Sequence, residues 1–277
     1  MAYERLGDSP LDYLPCRYTG SKLSFRGPRR KLEGRYAAFL GGTDTYGKFI
    51  EQPFPALIEA RTGVKCVNFG WPNAGVDVYL NDIGVQLAAR NARLTVLQVP
   101  CVANMTNRFY SVHPRRNDRF LEASGTLRAM FGEVDFTEFH FVRHMLHRLQ
   151  TVSEGRFGTV REEIQTAWVS RMQLLLQKLE GDVVLLWMSA RKPEEDADQT
   201  NVAYDPSYVT REMIESLRSK ATQLVEVTAS DAAQAEGTKG MRFSDLEAPA
   251  AQEVLGPTVH YEVADALAPL IAEVVGS

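Results

Sequence analysis

The sequence predicts an α/β protein, a three-layer α/β/α sandwich around one five-stranded parallel sheet. Three observations carry this. Five short apolar runs alternate with stretches of helical periodicity, and parallel neighbours require such crossovers. The runs are continuously apolar instead of alternating, which suits strands covered on both faces. With 277 residues and 44% hydrophobic content, the chain can bury a substantial core.

Residues 1–35 are rich in Pro, Gly and Arg, lack helical or strand periodicity, and read as an extended arm ending in RGPRRK (Arg26 to Lys31). Tyr36 to Leu40 form the first strand, which halts at Gly41 and Gly42. Phe54 to Arg61 has helical composition, and Val64 to Phe69 is a second strand ending at Gly70. The helical stretch Val78 to Asn91 leads to a third strand, Leu94 to Val99. Between Cys101 and Gly181, Asn117 to Met130, Thr137 to Gln150 and Arg156 to Leu179 place apolar residues three and four apart, predicting a helical cap inserted at about 105–180. Asp182 to Ser189 and Leu224 to Thr228 are the fourth and fifth strands. Arg191 to Pro206 is acidic and loop-like, Ala229 to Phe243 carries little order signal, and Val259 to Val275 is the final helix. Residues 36–277 thus read as one domain.

Composition excludes several classes. A formal net charge of −4 opposes general affinity for nucleic acid or anionic membrane. No apolar run approaches the roughly 18 residues that span a bilayer, and MAYERLGDSP lacks the pattern of a secretory signal, so a cytoplasmic location is expected. Cys16, Cys66 and Cys101 are odd in number and lack CxxC spacing, indicating neither a disulfide framework nor a zinc knuckle. No cofactor is implied.

In open parallel sheets ligands bind at the carboxyl ends of the strands. Here those ends carry Gly41 to Tyr46, Gly70 to Gly75, Cys101 to Asn107 and Ser189 to Lys192. FLGGTDTYG, VNFGWPNAGVD, PCVANMTN and GPTVHYEVADALAPLI, in this order, resemble the four motifs of the SGNH or GDSL hydrolases. The resemblance covers the sheet and the last helix, leaving the arm and the insertion outside, and implies a flavodoxin-like sheet with an esterase site. It makes Thr43 the nucleophile, His260 the general base, and Asn104 with the amides of Thr43 and Gly70 or Asn73 the oxyanion donors. The whole chain also resembles an uncharacterised family of alphaproteobacterial proteins, which implies no chemistry.

The motifs depart from the family at chemically important positions. Gly42 and Thr43 stand where Asp and Ser are expected, Asn73 replaces a glycine, and Pro257 stands where an aspartate would orient the histidine. Loss of that carboxylate costs on the order of 10⁴-fold in a serine-type site. Glu253 or Asp245 are candidate substitutes. A structural reading of the same residues makes the glycines strand-to-helix turns, with Thr43 or Asp44 capping a helix. Gly7-Asp8-Ser9 spells the family motif, but no strand precedes it.

Two further clusters are candidates for binding. HPRRNDR brings Arg115 and Arg116 near Arg108, and arginine forks suit carboxylate, sulfate or phosphate groups; pairing with Asp118 and Glu122 is the structural alternative. Asp44, Asn107, Arg108, Arg115 and Arg116 are therefore candidate substrate contacts, although Asn104 and Asn107 could instead bond their own turn. His140, His144 and His147 share helical spacing but lack an HExxH pattern, so no metal site is expected. The expected function is processing of an acyl ester on a carbohydrate or glycoconjugate. The alternatives are a degenerate module that binds an anionic glycan, and an assembly component using the helical insertion as a partner face.

Overall fold

The computed structural model describes residues 11–194 and 205–276. Five strands, β1 (Ala37–Leu40), β2 (Cys66–Asn68), β3 (Leu94–Gln98), β6 (Val183–Ser189) and β7 (Gln223–Thr228), form one sheet in the order β2-β1-β3-β6-β7. Every neighbouring pair is parallel. This is the flavodoxin-like order expected for the sheet.

The side-chain period of two divides the core. Ala38, Leu40, Leu97, Leu185 and Trp187 face α3 (Val76–Asn81), α4 (Ile83–Asn91), α7 (Glu154–Leu179) and α8 (Arg211–Leu217). Ala37, Phe39, Val96, Val184 and Leu186 face α2 (Phe54–Thr62), α9 (Asp231–Glu236) and α11 (Pro257–Gly276). The three-layer α/β/α architecture follows from continuous apolar strands that both helix layers need.

The insertion departs from expectation in its first half. Asn117 to Met130 is not one helix: β4 (Tyr110–Val112) and β5 (Phe120–Ala123) form an antiparallel hairpin, followed by α5 (Gly125–Met130) capped by Ser124. The reason is Asn117, whose buried side chain accepts from the amides of Gly75 and Val78 and donates to the carbonyl of His113. That holds the chain in a turn where a helix would pull it away. α6 (Val142–Val152) starts later than expected, behind a 3₁₀ turn at Phe136–Glu138. α7 belongs to the layer beside α3 and α4. Its Trp168 Nε1 donates to the carbonyl of Pro100, two residues after β3.

Elsewhere the differences are local. Asp82 splits Val78 to Asn91, because its carboxylate caps α4 through Val85 N and also accepts from Ser21 Oγ and Lys22 N of the arm. The arm is pinned a second time by Arg26, buried and donating to the carbonyls of Gly47 and Glu51. Ser230 caps α9 inside a stretch without an order signal. Most of the acidic segment Arg191 to Pro206 lies outside the described residues. Among the described residues no helix is long and apolar enough to cross a membrane.

Candidate functional site

The turn after β1 is organised by a residue of the neighbouring strand. Gln98, at the end of β3, accepts through Oε1 from Gly42 N (3.1 Å), Thr45 N (3.3 Å) and Thr45 Oγ1 (2.6 Å). Its Nε2 donates to Asp44 Oδ2 at 3.3 Å. Tyr79 of α3 adds its hydroxyl, which accepts from Gly41 N and lies 2.5 Å from the Gly41 carbonyl oxygen. Asn68 of β2 donates to the Thr45 carbonyl and accepts from Gly70 N. Together they fold α1 (Thr43–Tyr46) as a single helical turn at the carboxyl edge of the sheet. Sequence reasoning passed over Gln98 and Tyr79. The available signal for Gln98 was an amide side chain closing an otherwise apolar strand, LTVLQV.

The Thr43 hydroxyl sits on the turn after β2. It accepts from Asn73 N at 3.0 Å and donates to Asn73 Oδ1 at 3.2 Å. Asn73 has φ +56, a left-handed conformation that asparagine tolerates better than most residues. Its carbonyl accepts from Asn104 Nδ2 at 3.3 Å, and its Nδ2 donates to Asp118 Oδ2 at 3.3 Å. Two glycines allow this crowding. A Cβ on Gly75 would lie 1.6 Å from the Asn104 carbonyl oxygen, and one on Gly70 would lie 2.2 Å from Tyr46 N. Thr43, Asn73 and Asn104 are therefore brought together. The Gly70 amide is committed to Asn68, so it does not serve as a second donor here.

His260 stands apart from this group. It lies inside α11, on the stripe Val259, His260, Val263, Ala264 and Leu267 that faces the core. The ring is fully buried and stacked on Phe54, with centroids 5.9 Å apart, and its Nδ1 accepts from Phe54 N at 3.2 Å. Among the described residues Nε2 has no hydrogen-bond partner, and no bond joins the imidazole to Thr43, whose hydroxyl is engaged by Asn73. Desolvation pushes its pKa down to about 3, helped by the charge of Arg26, so the ring is neutral. The physical reason is helix phase: with α11 starting at Pro257, His260 falls on the inner face.

What reaches the crevice from that segment is backbone. Leu255 N donates to Asp44 Oδ1 at 3.2 Å. Burial, reinforced by the nearby Asp205, pushes the Asp44 carboxyl up to about 6 despite that bond. Arg143 of α6 pairs with Asp205 at 2.9 Å and lies 3.8 Å from Glu253. Cys101 is buried beside them, and desolvation raises its thiol to about 12, which leaves it unreactive.

The expected binding side chains divide in the same way. Asn107 bonds its own turn, donating to the Met105 carbonyl and accepting from Phe109 N and Tyr110 N. Arg108 pairs with Glu163 at 3.3 Å and lies over the Phe109 ring. Arg116 makes a forked pair with Asp118 (3.2 and 3.0 Å), while Arg115 is exposed and its carbonyl accepts from Trp71 Nε1. His140 precedes α6 and His144 packs edge-on to Phe139; among the described residues no cluster of His, Cys, Asp and Glu could hold a metal ion.

The model of one family matches residues 1–275. The chain belongs to the family described as a domain of unknown function, DUF6473. No curated protein matches this DUF6473 chain significantly. Among solved structures it is similar to a gut microbial diltiazem-metabolizing enzyme, at 13% identity and a TM-score of 0.44 over 89% of this chain. The chain spans about half of that enzyme, 48% of its length. It is also similar to a lipase from a goat rumen metagenome, at 9% identity and a TM-score of 0.40, covering 87% of this chain and 98% of the lipase. Likeness at this level carries no argument about activity.

Proposed function

We propose that this chain is an SGNH-like module that has kept the polar cradle of an ester-processing crevice and lost its base, and that it binds an O-acylated, anionic glycan. One observation carries the reading: the Thr43 hydroxyl is held by Asn73, while His260 is turned into the core with Nδ1 occupied. A hydroxyl nucleophile at its ordinary pKa is weak without an adjacent base. The Asn73 turn and the Asn104 amide, lined up beside Thr43, support recognition of a carbonyl oxygen. Arg115, exposed next to the cradle, supports recognition of a carboxylate on the same ligand.

Calorimetry with O-acetylated oligogalacturonate tests this. Saturable binding that weakens about tenfold when the probe is de-acetylated, or in Thr43→Ala, with no acetate released, is the expected result. Equal binding of both probes by both proteins overturns it.

A second reading, an active esterase, is favoured by the bond from Asn73 N to Thr43 Oγ1, because a backbone N–H beside a hydroxyl at a strand end is also how an oxyanion is received. Acetate release that disappears in Thr43→Ala selects it over the first.

A further inference from the structure

The β4–β5 hairpin reaches over the crevice, and its tip touches the Asn73 turn at three points. Trp71 Nε1 donates to the Arg115 carbonyl at 2.6 Å. Asn117 Oδ1 accepts from Gly75 N at 3.1 Å and Val78 N at 3.2 Å. Asp118 Oδ2 accepts from Asn73 Nδ2 at 3.3 Å. The tip is itself held from behind, since Val142 N donates to the Asp118 carbonyl at 2.9 Å and Phe120 N to the His140 carbonyl at 3.1 Å.

We infer that Asp118 is a positioning residue: it fixes the amide of Asn73 and so keeps Asn73 N and Oδ1 on the Thr43 hydroxyl. This rests on the reading of the Thr43 cradle as the ligand site. The two ends of the Asn73 side chain are held by Asp118 and Thr43. Arg116 grips the same carboxylate with Nε and Nη2, a forked pair that orients it. An asparagine in a left-handed conformation pays for backbone strain with such contacts.

Amide hydrogen exchange at Asn73 and binding of O-acetylated oligogalacturonate, both on the full chain, test the inference. In Asp118→Ala, Asn73 N–H should exchange about tenfold faster while the urea midpoint of the whole protein is unchanged, because only local opening is affected. Asp118→Asn keeps an acceptor for Asn73 and should stay within about twofold of wild type. Asn73→Asp sets two carboxylates against each other and should exchange fast, whereas Asn73→Asp combined with Asp118→Asn restores a donor and an acceptor and should recover protection. Unchanged exchange in Asp118→Ala, or no recovery in the double variant, overturns the inference. If wild type does not bind the probe, the functional reading fails, while the exchange series still decides the role of Asp118. If both hold, probe affinity follows the exchange series.

Discussion

The two ends of the crevice are built on opposite principles. Around Thr43, polar side chains from five different segments satisfy one another: Gln98 and Asn68 from β3 and β2, Asn73 and Asn104 from the following loops, and Asp118 from the hairpin. Around His260, the imidazole is buried in the apolar layer and stacked on Phe54, and among the described residues its Nε2 has no hydrogen-bond partner. A motif residue thus acquires chemistry from the phase of its element. Thr43 sits where a strand has ended and side chains converge; His260 sits on the inner stripe of a helix, which belongs to the core.

The comparison breaks most easily at Gly75. Its φ of −96 is ordinary, so contact alone requires glycine there. Gly75→Ala would drive a methyl into the Asn104 carbonyl and should cost about 3 kcal/mol in urea denaturation, with loss of probe binding. Unchanged stability would mean that the Asn73 and Asn104 loops are not clamped together.

Gln98→Leu is close in size but leaves Gly42 N, Thr45 N and Thr45 Oγ1 without their shared acceptor. It should destabilise by about 2 kcal/mol and abolish binding at Thr43, measured by denaturation and calorimetry. A variant that binds normally would remove Gln98 from the scaffold of the site.

The two ends should also titrate with opposite sign. His260 has a folded pKa of about 3, below its ordinary 6.5, so the unfolded chain binds the extra proton; its contribution is present above pH 6.5 and is lost as pH falls, by up to about 1.4 kcal/mol per unit. Asp44 has a folded pKa of about 6, above its ordinary 3.8; here the folded chain binds the extra proton, and stability is lost as pH rises through that window. Between pH 4 and 6 the two slopes oppose one another. His260→Leu should flatten acid unfolding and expose the Asp44 slope, and Asp44→Asn should do the reverse. Parallel pH profiles for wild type and His260→Leu would show that the imidazole is not buried as described.

The sheet was legible because a strand covered on both faces leaves a direct trace, a short apolar run bounded by glycine, and each of the five expected strands overlaps an observed one within two residues at either end. α7 was legible for a similar reason, its apolar residues three and four apart over many turns, while α2 was legible from helical composition. The hairpin was not, since RFLEASGTLRAM carries apolar residues at helical spacing and only the burial of Asn117 against α3 selects a turn. α9 is a single short helix whose identity depends on the Ser230 cap.

At the site, the resemblance of their segments to hydrolase motifs groups Thr43, Asn73 and Asn104, and the observed strand order sends the ends of β1, β2 and β3 to one edge. The same resemblance groups His260 with them as the base, whereas the stripe it shares with Val263, Ala264 and Leu267 puts it on the inner face of α11. Which side chain of a strand-end loop meets which is set by contacts between segments far apart in the chain, such as Gln98 with Thr45 or Asp118 with Asn73. Periodicity and spacing report only what lies within one element. The sequence therefore determined the layers and the edge where the crevice lies, and the tertiary structure alone decided that this edge holds a threonine hydroxyl in an amide cradle and keeps the imidazole in the core.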